Sequence, residues 1–167
     1  MCSMLFGQRG TFRGGQRAGT HRHRFWQLEI VECGKVRAHA DDCGRELIGG
    51  HLLLIPPHTP HAFDYLEDGT RTTSVKFDRA EAGALRAVVW RGASSAGWHM
   101  VRAFADLLPP TLRRTAPNRH VVDNLLSALV AYVERPVEAE LNGSRYLTPV
   151  ERVRHAVLVR DRWPVRV

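Results

Sequence analysis

The chemistry in this sequence gathers at histidine. His21 and His23 stand one residue apart in HRHRFWQLE, residues 21–29, and His61 ends the run GGHLLLIPPHTPH, residues 49–61. Imidazole nitrogens with free lone pairs hold a divalent ion at about 2.0 to 2.2 Å, and three of them with a water form a known zinc arrangement. The same residues also suit a small-molecule pocket. Trp26 or Phe25, Phe63 and Tyr65 offer flat apolar surface, while His21, His23, Gln27, Glu29, His61 and Arg37 offer a few hydrogen bonds. A third reading is structural: histidines at strand ends satisfied by backbone carbonyls, with aromatics that fill the interior. All three readings stay open on the residues alone. Which face Trp26 and Gln27 take depends on a bulge after His23, which would reverse the alternation.

Other polar residues form no comparable constellation. His39, His51, His58, His99, His120 and His155 read as surface or structural, and Asp41, Asp42, Glu67 and Asp68 as caps of turns. Neither a GxSxG nucleophile motif nor a phosphate-cradling GxxxxGK[ST] occurs. Cys2, Cys33 and Cys43 are an odd, sparse set without CxxC spacing, and read as free thiols, the latter two in turns.

The elements that must position the histidines are strands. From 21 to 90, short runs rich in Val, Ile, Leu and aromatics are punctuated by turn signals at ECGK, DDCGR, IGG and EDGT. Such spacing predicts an antiparallel all-β sandwich or barrel. FWQLEIV (25–31), KVRAHA (35–40), HLLLI (51–55), HAFDY (61–65) and TTSVKF (72–77) are the clearest strands, with ELI (46–48) and ALRAVVW (84–90) behind them. Period two puts His61, Phe63 and Tyr65 on one face. From 97 the period becomes helical: GWHMVRAFADLL ends at Pro109 and Pro110, and NRHVVDNLLSALVAYVERP, opening on Asn118, carries Val122, Leu125, Leu126, Leu129 and Val133 in one stripe. That stripe either packs on its own domain or shares itself with a second subunit. ELNGSRYLTP then reads as a linker, VERVRHAVLVRDRW as the start of a third helix, and residues 1–20, rich in Gly and Arg without periodicity, as an arm.

With 167 residues, 44% of them hydrophobic, the chain is one soluble domain with a single core. It has neither a run of about 20 apolar residues to span a bilayer nor a secretory leader, so it is expected inside the cell, away from the membrane. The net charge of +7 comes from arginine, 22 of the 24 basic residues, scattered along the chain and concentrated only between 152 and 166. No complete groove-reading helix accompanies it.

The histidine motifs resemble those of the cupin superfamily. There HxH is followed three or four residues later by Glu and then by a glycine turn. His21, His23 and Gly34 fit, the carboxylate position falls on Gln27 or Leu28, and Glu29 comes one residue late. In the second motif Gly50, Pro56 and His61 fit, with His58 in place of its inner glycine. Within the superfamily, HRHRFWQLEIVECGKV and LIGGHLLLIPPHTPHAFDY look most like the sensor domain of AraC-type transcription regulators, and RVRHAVLVRDRWPVRV is similar to the first helix of their DNA-binding part.

The resemblance implies a mainly β fold, a cupin-type double-stranded β-helix or small jelly roll, followed by two amphipathic helices and the start of a third. It implies a division into an N-terminal arm (1–20) that closes over a ligand, a barrel (21–95), a helical dimerisation segment (96–136), a linker (137–149) and the beginning of a helix-turn-helix domain (150–167). The partners implied are a small-molecule effector, a second copy through 118–135, and DNA through a helix-turn-helix region that this chain lacks. The alternative is a small metal-dependent cupin enzyme, an oxygenase or isomerase, with His21, His23 and His61 on a divalent zinc, iron or nickel ion; no other cofactor is expected.

Overall fold

The computed structural model describes residues 1–40, 43–80, 88–108, 111–113 and 119–135. Its elements lie in one compact unit, Met1–Glu134. The expectations at Asp41, Asp42, 84–87, Asn118, 137–149 and from 150 onward fall outside the described residues.

In chain order the strands are β1 (Cys2–Phe12), β2 (Arg17–His21), β3 (Trp26–Cys33), β4 (Lys35–Ala40), β5 (Cys43–Ile48), β6 (His51–Ile55), β7 (His61–Tyr65), β8 (Thr70–Arg79) and β9 (Val89–Gly92). Helix α1 (Ser95–Leu107), strand β10 (Thr111–Arg113) and helix α2 (Arg119–Glu134) follow. They form a six-stranded sheet, β10-β1-β8-β3-β6-β9, and a four-stranded sheet, β2-β7-β4-β5, with antiparallel pairing throughout. The strands expected from 25 to 77 are therefore present, and they build a jelly roll. Cys33 closes β3 and Cys43 opens β5, so neither sits in a turn; all three cysteines are free thiols.

The larger sheet is covered on both faces, the outer one wholly apolar and the inner one apolar in part. Its outer face turns Trp26, Leu28, Ile30, Leu52, Leu54, Val75 and Phe77 into a core shared with Val101 and Phe104 of α1 and with Val122, Leu126, Leu129, Val130 and Val133 of α2. Its inner face turns Val31, Leu53 and Ile55 toward Val36, Ala38, Leu47, Phe63 and Tyr65 of the smaller sheet. Each fully buried Leu or Phe contributes about 1.5–3 kcal/mol. The α2 stripe is thus consumed largely inside its own domain. Ser94 caps α1 by accepting from the Gly97 N–H. Among the described residues no helix is long and apolar enough to cross a membrane.

Residues 1–20 are not an arm. β1 pairs with β8 along its whole length and with β10 on its other edge. Its first residues are also tied to α2: the Cys2 N–H donates to Ser127 Oγ at 2.8 Å, the Met4 N–H to Asp123 Oδ1 at 2.8 Å, and Arg119 donates to the Met4 carbonyl at 2.6 Å. Buried backbone groups demand such partners, and α2 supplies them. Between β3 and β4, Gly34 turns at φ +79°, where a Cβ would stand 2.5 Å from Thr70 Oγ1. Only glycine fits that turn.

Candidate functional site at the barrel mouth

Strand pairing brings the histidines together. His21, the last residue of β2, is the cross-strand partner of His61, the first of β7. Their ring centroids are 4.2 Å apart. His23 follows in the loop to β3, with its ring 4.9 Å from His61 and 6.0 Å from His21. That loop is pinned by the His58 N–H, which donates to the His23 carbonyl at 2.7 Å. His58 adopts φ +64° to do so, the left-handed conformation that glycine takes without cost.

All three rings are braced in the same way. Nδ1 of His21 lies 2.8 Å from the Gly19 carbonyl, Nδ1 of His23 2.8 Å from the Phe25 carbonyl, and Nδ1 of His61 2.9 Å from the Thr59 carbonyl. A carbonyl only accepts, so each Nδ1 carries the proton and donates it. Nε2 of His21 and His61 then keeps its lone pair. This is the arrangement by which backbone carbonyls fix the tautomer and aim of metal-binding imidazoles. The three candidate ligand atoms lie within 4.8 Å of one another.

His61 is the inner member, 1% exposed. Its Nε2 is buried without a hydrogen-bond partner among the described residues. Burial holds its pKa down to about 4, and the charges of His21, His23 and Lys76 push the same way while the Thr59 carbonyl opposes them. The ring is therefore neutral at physiological pH, as a metal ligand or hydrogen-bond acceptor must be.

Behind His23 a polar chain runs into the barrel. Gln27 Oε1 is 2.8 Å from His23 Nε2, and Gln27 Nε2 donates to Glu29 Oε2 at 3.1 Å. Two acceptor atoms do not stay 2.8 Å apart unless a proton or a cation lies between them. Turning the Gln27 amide over satisfies both contacts, its NH2 then donating to His23 Nε2 and its oxygen accepting from a protonated Glu29. Glu29 is fully buried, and burial raises its carboxyl pKa against the pull of Thr72, Ser74 and Gln27. Burial, then the Glu29 charge, raises the Tyr65 phenol as well. Tyr65 stacks on Phe12 at 3.8 Å, and Phe63 sets its ring edgewise to His61 at 5.8 Å.

Of the residues expected at the site, Gln27, Glu29, His61, Phe63 and Tyr65 are buried inside, His23 is half-buried beside them, and His21 closes the cluster from the exposed rim. Trp26 and Arg37 do not. Trp26 is on the other face of β3, beside Phe77 under the helices, because the loop at 22–25 sets the strand's phase. Arg37 points outward from β4, between inward Val36 and Ala38, and pairs with Glu46 at 2.8 Å. Phe25, named as the alternative to Trp26, stacks on His23 at 4.2 Å. Sequence reasoning missed Lys76, which shares the inner face of β8, and a cavity of about 360 Å³ that His61 lines together with Thr20, His39, Cys43 and Pro60.

The donor set fits a divalent ion: three imidazoles with braced Nδ1 groups, one of them with a buried orphan nitrogen, and the Gln27 amide alongside. His21, His23 and His61 would hold it, with Gln27 as the neutral fourth group.

Residues 5–133 match the family described as AraC-like ligand binding domain. The chain belongs to that family. No curated protein matches this AraC-like domain. Among solved structures, it is similar to ToxT from Vibrio cholerae, with a TM-score of 0.53 at 8% identity over 79% of this chain and 56% of that one. A RmlC-like cupin from Shewanella frigidimarina matches at 20% identity and a TM-score of 0.42, covering 50% of this chain and 79% of the other. KdgF from Halomonas sp. matches at 22% identity and a TM-score of 0.40, covering 44% and 81%. The likeness to ToxT is one of fold alone.

Proposed function

We propose that this AraC-like domain is the effector-binding sensor of a transcription regulator, with the effector held at the barrel mouth by His21, His23 and His61. The observation that carries the reading is the buried Nε2 of His61, without a hydrogen-bond partner among the described residues and close to two other imidazoles. An unmade hydrogen bond in the interior costs about 1–3 kcal/mol. A ligand or ion that accepts the lone pair recovers that cost. Phe63, Tyr65 and Phe25 give the apolar wall, and Gln27 and Glu29 the polar floor. The DNA contact belongs to a helix-turn-helix unit following α2, and the protein works inside the cell. Pairing of two copies uses the side of α2 that carries exposed Val121 and Ala128, since its main stripe is buried.

Thermal unfolding against a metabolite panel tests the reading, because a ligand bound only by the folded state raises apparent stability by mass action. The expected result is a concentration-dependent rise for one class of compound, lost in His61→Ala. A panel without effect on the wild type overturns the sensor reading. The enzyme reading rests on the same braced imidazoles. It requires turnover that follows bound metal, and metal-loaded protein without turnover removes it.

A further inference from the structure

The sensor reading leaves the chemical class of its effector open, and Lys76 narrows it. Lys76 lies on β8, directly across from Gln27 of β3 on one side and Phe6 of β1 on the other. Its strand neighbours Val75 and Phe77 face the helices, so Lys76 faces the barrel with Thr72 and Ser74, whose hydroxyls reach Glu29. The ammonium is half-buried and sits against two aromatic rings, 5.9 Å from the centre of Phe6 and 5.7 Å from that of Phe25. The Phe25 ring is the one stacked on His23. Phe25 thus touches both the cation and the imidazole cluster, and His61 feels the charge of Lys76.

Among the described residues Lys76 forms no ion pair. A half-buried ammonium normally finds a carboxylate, since taking a charge out of water without one is costly. Two ring faces return only about 0.5–2 kcal/mol each. Glu29, the acid within its field, is committed to Gln27 and to the Thr72 and Ser74 hydroxyls. The ammonium therefore keeps donors for something that enters the mouth.

We propose that Lys76 is the anion-recognising residue of this site and that the effector is a small organic carboxylate. Its carboxylate takes the ammonium, and its other end meets the Nε2 atoms of His21, His23 and His61, directly or through an ion they hold. The flat walls of Phe6, Phe25 and Phe63 suit a planar head group.

The inference rests on the effector-site reading, so the test separates the two. Calorimetric titration of the whole chain uses acetate, succinate and benzoate, each against its uncharged amide: acetamide, succinamide and benzamide. The expected result is that at least one carboxylate binds about tenfold or more tightly than its amide and weakens with added salt. In Lys76→Met the preference disappears, and in Lys76→Arg it persists. Unfolding curves of both variants establish that the fold is kept. Amides that bind as well as acids, a Lys76→Met protein that keeps the preference, or a wild type that takes none of the three carboxylates overturns the proposal. A neutral compound bound by the wild type and lost in His61→Ala sinks the carboxylate class while leaving the effector site standing.

Discussion

Acidification through the range in which an ordinary histidine titrates should destabilise this domain measurably through one side chain. Burial lowers the pKa of His61 from 6.5 to about 4. In the unfolded chain the ring takes up its proton near pH 6.5; in the folded one it stays neutral until near pH 4. Between those values the unfolded state binds more protons, so stability falls as pH falls. The contribution of His61 is complete above about pH 6.5 and is lost progressively toward pH 4. From pH 7.5 to 4.5 the loss amounts to about 2–3 kcal/mol, at 1.36 kcal/mol for each unit of separation. For a domain of about 5–15 kcal/mol total stability that is a large share. The assay is urea unfolding at intervals of pH for the wild type and for His61→Gln, which cannot titrate. Subtracting one curve from the other removes every other group. The difference should fall by about 2–3 kcal/mol over this interval. A fall below about 0.5 kcal/mol would show that water reaches Nε2 and that His61 is not the desolvated centre described above.

Three further substitutions test the supports of the site. His58→Gly relieves the left-handed residue behind His23 and should gain about 0.5–1 kcal/mol in chemical unfolding; a loss would mean that the His58 ring contributes more than its backbone strain costs. Gly34→Ala forces a Cβ against Thr70 at positive φ and should cost at least about 2 kcal/mol, read as a lowered melting temperature. Leu129→Ala should cost about 2–5 kcal/mol at any protein concentration, because α2 packs within one subunit. A cost that changed with protein concentration would place Leu129 at an interface instead.

How far the sequence foretold this arrangement depended on which contacts were local. HLLLI and HAFDY announced themselves because β-rich runs between turn signals need only neighbouring residues to be read, and alternation correctly set His61, Phe63 and Tyr65 on one face. The strand at 2–12 was invisible. Its composition is that of a loop, and its stability comes from β8 and from Asp123 and Ser127, more than a hundred residues away. Arg37 was misplaced although KVRAHA alternates cleanly; Val36 and Ala38 already marked the inner face. Lys76 failed for a different reason. A lysine between Val75 and Phe77 reads as the solvent side of a strand, but here the helices cover the apolar side and the barrel takes the polar one. In a sheet covered on both faces, polarity no longer marks the outside.

The central claim is that Nε2 of His21, His23 and His61 point at one shared place. Titration of the purified chain with zinc chloride, followed by calorimetry, tests it most directly. The account predicts one ion per chain, with affinity reduced by at least about tenfold in each of His21→Ala, His23→Ala and His61→Ala and unchanged in His39→Ala or His120→Ala. Zinc that fails to bind stoichiometrically, or that binds equally well without any one of the three, would contradict it.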